Sequence, residues 1–419
     1  MSGVVTPAAT LSIGEAANRA WDIGIVGAGV AGASLAIRLA RRGLSVLLVE
    51  AQRFPREKVC GGCLNQRALD LLRELGLLDQ CTLAGAVPLQ WLRIRQRERD
   101  HRWRVPEMLS LRRSTLDALL VKAAIGQGVA YLDGTTATLE SSFTQASEPV
   151  VLQLRSASTA AEKAGQQSER WGVALVRIAV VAAGLTRSPL INRTAWPAEV
   201  APNSRIGVQC LIPAELLRRQ EWSWSQGLQL MQGNELRMLI GSKGYLGISR
   251  TDGDYYDFAA ALDPAAIRSE KSIEAAIDRL LVECALPALG KLNPNRWAST
   301  PHLTRASWPV ARDRVFLLGD SMGYVEPFTG EGMSWGLAGA KRLDKMLGPV
   351  LGDSSLSQSA AEELESGWNR WAAGQRRRNQ SVCRWVAGQV RRPTRAAWLL
   401  TGLDWLPPVR NMILRKATR

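Results

Sequence analysis

The feature that most constrains the fold is a short glycine pattern near the start of the chain. It reads Gly27-x-Gly29-x-x-Gly32, it follows the apolar run Asp22–Val26, and helical apolar spacing continues over residues 33–42. In such a pattern one glycine permits a tight turn, the next lets the backbone approach a pyrophosphate, and the last lets helix and strand pack closely. The sequence therefore predicts a buried strand, a glycine turn and a helix.

The next apolar run, Ser45–Glu50, predicts the second strand of the same unit and ends on an acid. Continuous apolar runs are typical of parallel strands that are buried on both faces. Glu50 stands eighteen residues after Gly32, where a carboxylate accepts hydrogen bonds from the ribose of a dinucleotide. We therefore predict a dinucleotide site at Gly27, Gly29, Gly32 and Glu50. The alternative is a glycine-rich turn without a ligand.

A second strand–turn–helix pattern lies near residue 320. The apolar run 314–319 ends in Gly319-Asp320, and a later turn with Gly330 and Gly332 opens another helix. Together the two patterns resemble the superfamily of flavoprotein hydroxylases and geranylgeranyl reductases. The resemblance implies FAD as cofactor, with Asp320 holding its ribityl chain. It also implies a helix N-terminus beside the flavin, where the helix dipole stabilises the anionic reduced ring. The alternative is a purely structural turn.

A third segment resembles the same superfamily. Arg113-Ser-Thr-Leu116-Asp117 is similar to a helix start whose arginine lies near the FAD. The resemblance therefore adds Arg113 to the expected cofactor contacts. Taken without the other motifs, this segment is equally typical of an ordinary amphipathic helix.

The stretch that follows Glu50 favours one branch of the superfamily. Residues 55–63 read PREKVCGGC, which resembles the Pro-Arg-x-Lys-x-Cys-Gly-Gly segment of geranylgeranyl reductases. In that family the turn passes close to the isoalloxazine ring and the substrate, and glycine lets the backbone approach a flat ring without a clash. The resemblance makes Cys60 the expected catalytic residue, which poises the flavin or relays a proton.

Two other patterns suggest different chemistry. Cys60 and Cys63 have the spacing of a redox dithiol or of half a zinc site, but no second pair with ligand spacing occurs, so no metal is expected. Trp222 and Trp224 resemble part of a flavin-dependent halogenase motif, but the Ile-Pro that completes it is missing. We expect this pair to line an apolar cavity or a strand face.

The end of the chain concentrates the positive charge. Residues 370–419 hold twelve Arg and Lys against Asp404 alone, which accounts for +11 of the net charge of +15. Tryptophans fall in or beside the same stretch, at Trp368, Trp371, Trp385, Trp398 and Trp405. Basic helices with interfacial tryptophan are typical of segments that lie on an anionic membrane. The alternative is a helical cap over the substrate domain; nucleic acid is not an expected partner, because no recognised module is present.

These observations predict an α/β fold with three parts: a Rossmann-type FAD-binding domain, an antiparallel-sheet substrate domain and a helical C-terminal region. A chain of 419 residues can form two or three closely joined domains. The expected divisions are a disordered segment 1–20, an FAD-binding domain 21–85, 109–190 and 296–348, a substrate domain 86–108 and 191–295, and a basic helical region 349–419.

The expected location follows from three further features. Six cysteines in a chain of this length indicate a reducing cytoplasm rather than a disulfide scaffold. Residues 1–20 lack the basic start and apolar core of a secretory signal. No run of apolar residues is long enough for a transmembrane helix. We expect a cytoplasmic protein that lies peripherally on the inner face of the membrane.

The expected function is an FAD-dependent oxidoreductase that reduces C=C bonds of an apolar isoprenoid or long-chain substrate. The chain has no second Gly-x-Gly-x-x-Gly motif, so NAD(P)H or another reductant would bind transiently as electron donor. The first alternative is a monooxygenase that hydroxylates a phenolic or quinone-precursor substrate. The second is a non-catalytic, membrane-docked flavoprotein.

Overall fold

A computed structural model of the chain describes residues 6–139, 148–156, 171–190, 196–219, 234–290, 297–326, 330–352 and 356–418. The helices in these ranges are α1 (Ile13–Ala17), α2 (Val30–Ala40), α3 (Gln66–Leu75), α4 (Leu78–Leu83), α5 (Arg113–Gly126), α6 (Ala214–Arg219), α7 (Pro264–Glu270), α8 (Ile273–Glu283), α9 (Gly332–Leu351), α10 (Gln358–Val390), α11 (Pro393–Trp405) and α12 (Pro407–Thr418).

The strands in the same ranges are β1 (Ala20–Val26), β2 (Val46–Val49), β3 (Cys63–Leu64), β4 (Val87–Gln96), β5 (Arg99–Ser110), β6 (Ala130–Leu132), β7 (Thr135–Leu139), β8 (Val150–Ser156), β9 (Trp171–Val181), β10 (Ala198–Val200), β11 (Ile206–Pro213), β12 (Glu235–Gly241), β13 (Gly244–Thr251), β14 (Tyr255–Leu262), β15 (Ala298–His302), β16 (Arg305–Ser307), β17 (Ala311–Arg312), β18 (Val315–Leu317) and β19 (Gly323–Tyr324). They form two large sheets and one small sheet, β10-β16-β19.

The first large sheet contains the parallel strands that the amino-terminal motif predicts. Its main path runs β6-β2-β1-β9-β18-β17, and β1 pairs in parallel with both β2 and β9. Residues 23–26 of β1, which alternate between the two faces of the sheet, are all buried. Helices α2, α5 and α9 pack together beside the sheet, and β8 extends it as an antiparallel neighbour of β9. Burial on both faces explains why these strands are continuously apolar.

The second large sheet is mostly antiparallel and has two differently covered faces. Its order is β15-β11-β14-β13-β12-β4-β5-β3, and the β12–β4 pair is parallel. Along β14 the side chains alternate: Phe258 is buried with Ile277 of α8 in one core, whereas Ala261 is buried in a separate cluster with Leu400 and Leu403 of α11. The C-terminal helices therefore cover the face that α8 does not.

Helix α10 connects the two sheets. Near its start Trp368 donates its indole N–H to the Leu317 oxygen at 3.1 Å and stacks on Trp371, and at its end Val390 is buried in the second sheet's cluster. The predicted α/β fold with a second, antiparallel sheet and a helical C-terminal region is confirmed. Within the described ranges, no helix has the length and apolar character that crossing a membrane requires.

The expectation of disorder over residues 1–20 is wrong for the part that the structure describes. Ser12 and Glu15 form a reciprocal capping box at the start of α1, which satisfies backbone N–H groups that a short helix otherwise leaves open. Ile13 and Ala16 are buried against the first sheet, and Trp21 donates to the Ala16 oxygen. Burial and capping order a segment whose small polar composition suggested a coil.

Candidate active site

The amino-terminal turn has contacts that only glycine tolerates. Gly27 has φ +109°, and a Cβ there would lie 2.5 Å from the Ala182 carbonyl oxygen. A Cβ on Gly32 would lie 1.9 Å from the Gly27 oxygen. Helix α2 begins at Val30, earlier than the predicted residue 33, and no side chain in the described part of the chain caps its N-terminus. Its first N–H groups can therefore bind a phosphate.

Glu50 directly follows β2, and its carboxylate is held at the same turn. One oxygen, Oε2, accepts a hydrogen bond from the Ala28 N–H at 3.0 Å, and the other accepts one from the Gln52 N–H at 3.1 Å. The Arg56 guanidinium lies 3.2 Å from Oε2. The structure thus brings Glu50 and the glycine turn together, which is the arrangement that a dinucleotide ribose requires.

Two buried arginines lie against this turn. A Cβ on Gly29 would lie 3.4 Å from Arg113 Nη2 and 3.5 Å from Arg56 Nη2. Asp117 holds both groups: Arg113 donates to it through Nε and Nη2 at 3.0 and 2.8 Å, and Arg56 Nη2 lies 3.1 Å away. Guanidinium groups fixed in this way suit a diphosphate. The sequence motif points to Arg113, whereas the role of Arg56 emerges only from the folded chain.

The second motif meets the first at helix α2. Gly319 has φ +63°, and a Cβ there would lie 3.0 Å from the Ala31 Cβ. The Asp320 side chain is 27% exposed and lies 3.9 Å from Lys58 Nζ. Burial lowers the pKa of Lys58, and the charge of Arg113 acts in the same direction. Asp320 is therefore accessible to a ligand that also contacts α2, as a bound FAD would.

The turn before α9 packs on the cysteine segment. Gly330 has φ +77°, and a Cβ there would lie 3.1 Å from the Cys63 Cβ. A Cβ on Gly332 would lie 3.2 Å from the Tyr324 ring. Residues 327–329 of this turn lie outside the described part of the chain. The structure thus brings the start of α9 directly onto the Cys60–Cys63 segment.

Cys60 is half-buried between the two sheets. Its N–H donates to Gln209 Oε1 at 3.2 Å, and the positive charge of Arg113 acts on its thiol. Burial raises the pKa of the Cys60 thiol more than Arg113 lowers it, and burial also raises the pKa of Cys63. Both cysteines are free thiols. A raised pKa keeps a thiol protonated at neutral pH and gives no support to a redox dithiol, which needs a thiolate.

A buried acid that the sequence does not single out lies beneath this turn. Asp257 is 1% exposed, and Gln209 Nε2 donates to its two oxygens at 3.0 and 2.9 Å. A Cβ on Gly62 would lie 3.5 Å from Asp257 Oδ2. Burial raises the pKa of Asp257 to about 8, so the carboxyl group is mostly protonated at neutral pH. Gln209 therefore links a neutral acid to the backbone of Cys60.

An apolar layer begins at the same place and extends between the second sheet and the C-terminal helices. Gly61 packs on this sheet, since a Cβ there would lie 3.4 Å from the Ala259 Cβ. The buried members of the layer are Cys63, Leu89, Leu92, Ile94, Trp103, Met108, Leu236, Met238, Ile240, Tyr245, Ala261, Leu303, Val390, Leu400, Leu403 and Leu414. The turn that carries Cys60 thus borders an extended apolar region.

The end of α10 from residue 384, together with α11 and α12, forms what we call the C-terminal cap. Asp404 accepts a hydrogen bond from Trp103 Nε1 at 2.6 Å, and its other oxygen lies 2.5 Å from His101 Nδ1. Burial acts to raise the pKa of Asp404, but these two hydrogen bonds, together with electrostatic attraction to His101 and Arg410, outweigh burial and lower it. Arg391 Nη2 lies 3.2 Å from Glu326 Oε2. These polar contacts fasten the cap over the apolar layer.

Two further sequence interpretations concern metal binding and the Trp222–Trp224 pair. Among the described residues, no group of three or more His, Cys, Asp or Glu side chains is arranged to hold a metal ion. Trp222 and Trp224 lie outside the described part of the chain.

Comparison with known proteins assigns the first part of the chain. Residues 20–163 match the family model of an FAD binding domain. Conditioned medium factor receptor 1 of Dictyostelium discoideum is 22% identical over 83% of this chain and 67% of its own length. Menaquinone reductase of Mycolicibacterium smegmatis is 45% identical, but the alignment covers only 14% of this chain and 15% of that enzyme.

Solved structures share the fold over nearly the whole chain. The flavin-dependent brominase Bmp2 has a TM-score of 0.74 at 16% identity, covering 96% of this chain and 94% of its own. PqsL of Pseudomonas aeruginosa, described as a probable FAD-dependent monooxygenase, has a TM-score of 0.66 at 18% identity. The match covers 91% of this chain and 100% of PqsL. These likenesses show the fold and do not single out the geranylgeranyl reductase branch. Residues 20–163 therefore form an FAD-binding domain, and nearly the whole chain has the fold of FAD-dependent oxidoreductases.

Proposed function

We propose that this FAD-dependent oxidoreductase reduces C=C bonds of an apolar isoprenoid or long-chain substrate, as geranylgeranyl reductases do. The observation that carries the proposal is the position of the Cys60–Gly62 turn between two regions of opposite character. On one side lies Arg113, whose Nη2 is 3.4 Å from the position of a Cβ on Gly29 in the phosphate turn and whose charge acts on the Cys60 thiol. On the other side Cys63 belongs to the apolar layer. A substrate that lies along this layer would meet the cofactor at Cys60.

When bound, FAD supplies hydride chemistry to a substrate carbon. The other steps fall to the chain's own residues. Arg56 and Arg113 bind the diphosphate and Asp320 binds the ribityl chain, while the apolar layer orients the substrate and excludes water. Saturation of a C=C bond consumes a hydride and a proton, and Cys60 holds that proton because burial keeps its thiol protonated. NAD(P)H or another transient reductant restores the electrons.

The deciding experiment is anaerobic. The purified holoprotein is reduced without oxygen and mixed with a lipid extract, and the products are analysed by mass spectrometry. We expect the bound FAD to reoxidise and an alkene to gain the mass of a hydride and a proton. If the FAD stays reduced until oxygen is admitted, and no lipid changes mass, the reductase proposal fails.

Hydroxylation of a phenolic or quinone-precursor substrate is the second candidate. It is favoured by the fold shared with PqsL, which is described as a probable FAD-dependent monooxygenase. The same apolar layer would provide the dry pocket that such chemistry needs. A monooxygenase should show NAD(P)H oxidation that is triggered by the substrate and coupled to oxygen uptake. A reductase should turn over equally well without oxygen.

The location proposed with this function is the cytoplasmic face of a membrane. An apolar substrate partitions into lipid, so an enzyme that uses it gains from lying on the bilayer. Fractionation of cells should recover the chain with membranes at low salt and release it at high salt. Recovery in the supernatant at low salt would contradict this location and leave the proposed chemistry untouched.

A further inference from the structure

Helix α11 carries apolar residues on its inward side and large aromatic residues on its outward side. Ala396, Leu400 and Leu403 are buried, and their spacing defines the inward side of the helix. Trp398 and Trp405 lie on the outward side, seven residues apart, and are 79% and 82% exposed. Two tryptophans two turns apart on one helix are too exposed to contribute to the fold of this chain.

The exposed apolar side chains continue over the rest of the C-terminal cap. Among the described residues, half of the exposed large apolar side chains belong to it: Trp385, Trp398, Trp405, Leu406, Val409 and Met412. Arg384, Arg392 and Arg395 are exposed beside them. We call these apolar and basic side chains together the outer face.

Few acids share the chain segment that carries the outer face. Positions 370–419 hold twelve basic residues and one acid, Asp404. Its Oδ1 contacts Trp103 and its Oδ2 contacts His101, both on β5. The cap therefore presents tryptophan and arginine outward, while its acid is engaged with the second sheet. Apolar rings beside basic groups match the region where lipid headgroups meet acyl chains.

We propose that the outer face of the C-terminal cap docks on an anionic membrane surface. A second copy of the chain is a poor occupant, because two such faces would bring like charges together. A nucleic acid would satisfy the arginines but would not bury Leu406, Val409 and Met412. An anionic bilayer satisfies both, since its headgroups attract the arginines and its interface accepts the apolar side chains.

Docking would place helix α11 between the apolar layer and the membrane. The inward side of α11 supplies Leu400 and Leu403 to the apolar layer, so a docked cap separates that layer from lipid by the thickness of a single helix. A substrate could then pass from the bilayer past the cap to the turn that carries Cys60. This last step rests on the proposed function, whereas docking itself does not.

The test uses the full-length holoprotein and sedimentation with vesicles of phosphatidylcholine, with and without about 30% phosphatidylglycerol. We expect binding to need the anionic lipid and to weaken as salt rises. The double variant Trp398→Ser/Trp405→Ser should lose about tenfold or more in vesicle partitioning. Its matched control is Trp171→Ser, since Trp171 is 75% exposed on β9 in the first sheet and should leave binding unchanged.

Charge is tested separately. The triple variant Arg384→Gln/Arg392→Gln/Arg395→Gln should bind less and lose part of the salt dependence. The charge-matched control carries Gln at Arg250, Arg268 and Arg279, which are exposed positions of the second sheet and its helices. Equal binding by the two triple variants would overturn the proposal.

Two further readouts separate docking from its rivals. Turnover of a detergent-solubilised substrate should be the same in the Trp398→Ser/Trp405→Ser variant and the parent, so a lost function and a lost docking surface can be distinguished. Light scattering without vesicles and RNA titration should show no change in that variant. Vesicle binding that survives the double substitution, with a change only in oligomeric mass or RNA affinity, would contradict docking on lipid.

Discussion

The FAD turn and the C-terminal cap hold their neighbours in different ways. At Gly27 and Gly32 the backbone fills the contact, because an added Cβ would lie 2.5 and 1.9 Å from other backbone atoms. In the cap, Asp404 reaches His101 and Trp103 through side chains that are about three hundred residues distant in sequence. The backbone contacts at the FAD turn leave no room for a larger side chain, whereas the cap can lose one side-chain contact and keep its packing. The FAD site should therefore fail as a unit, and the cap should weaken in steps.

The largest effect is expected at Gly32. The substitution Gly32→Ala sets a methyl group against the Gly27 carbonyl, so the turn or the helix must move and FAD binding should be lost. Flavin absorbance of the purified protein measures the loss. The control is Gly388→Ala in α10, where no described atom beyond the helix's own backbone lies within 4 Å of the added Cβ. This variant should keep FAD and gain about 0.5–1 kcal/mol of stability. Full FAD occupancy in Gly32→Ala would refute the steric account of the turn.

Substitution of Cys60 should slow the reaction without weakening FAD binding. Cys60→Ser is expected to keep FAD, because we propose that the glycines and arginines hold the cofactor, and to slow turnover about a hundredfold, as loss of a proton donor does. Cys63→Ser should be milder, since Cys63 is buried among apolar neighbours and its thiol bonds to the Gly61 oxygen. Turnover with the true substrate, measured at matched FAD content, decides the point. Equal rates in Cys60→Ser and the parent would remove Cys60 from the mechanism.

Asp257 should make stability depend on pH. Its pKa is raised to about 8 by burial, whereas an unfolded aspartate titrates near 3.9. Between these values the folded state keeps a proton that the unfolded state releases, so the free energy of unfolding should fall as pH rises from about 4 through about 8. Glu57 and Asp252 add to the shift and Arg112 and Gln209 oppose it.

The variant Asp257→Asn removes this titration while keeping a side chain of the same shape. Denaturant unfolding across the pH range should show a flatter profile for Asp257→Asn than for the parent. The exposed Asp79→Asn serves as control and should keep the parent's slope. A parallel profile in Asp257→Asn and the parent would mean that Asp257 is ionised in the folded state.

The smallest effect is expected in the cap. Asp404→Ala leaves Trp103 and His101 without their acceptor, which should cost about 1–2 kcal/mol and leave FAD bound. Limited proteolysis should then cut within α11 or α12 sooner than in the parent. Asp404→Asn keeps an acceptor oxygen, so its rate of proteolysis should lie between those of Asp404→Ala and the parent. Loss of FAD on Asp404→Ala would show that the cap and the FAD site are one unit.

The difference between contacts made within a short stretch of chain and contacts made between distant residues also explains how much of the molecule the sequence could predict. Gly27, Gly32 and Glu50 interact within a short stretch of chain, so spacing alone brings them together, and the parallel strands were predictable from their apolar runs. The site around Cys60 was predictable only in part. Gln209 and Asp257 reach it because β11 and β14 pair in a particular register, and pairing between distant strands leaves no pattern in a single sequence.

Arg56 and the cap show the same limit. Arg56 was visible in a motif, but its contact with Asp117 depends on how α5 packs beside α2. The basic composition of the cap suggested either a membrane surface or a cover for the substrate sheet. The structure confirms that the helices pack on that sheet, through Leu400 and Leu403. Which side chains point outward follows from that packing and not from composition.

The most direct test of the account is the FAD content of the purified chain and of Asp320→Ala. We predict non-covalent FAD at about one per chain and loss of most of it in Asp320→Ala, because the substitution removes the accessible carboxylate that we propose as the ribityl contact. Asp320→Asn, which keeps a hydrogen-bonding side chain of the same shape, should retain more FAD than Asp320→Ala. Absorbance after gel filtration gives the ratio. Full occupancy in Asp320→Ala, or no FAD in the parent chain after reconstitution, would contradict the account.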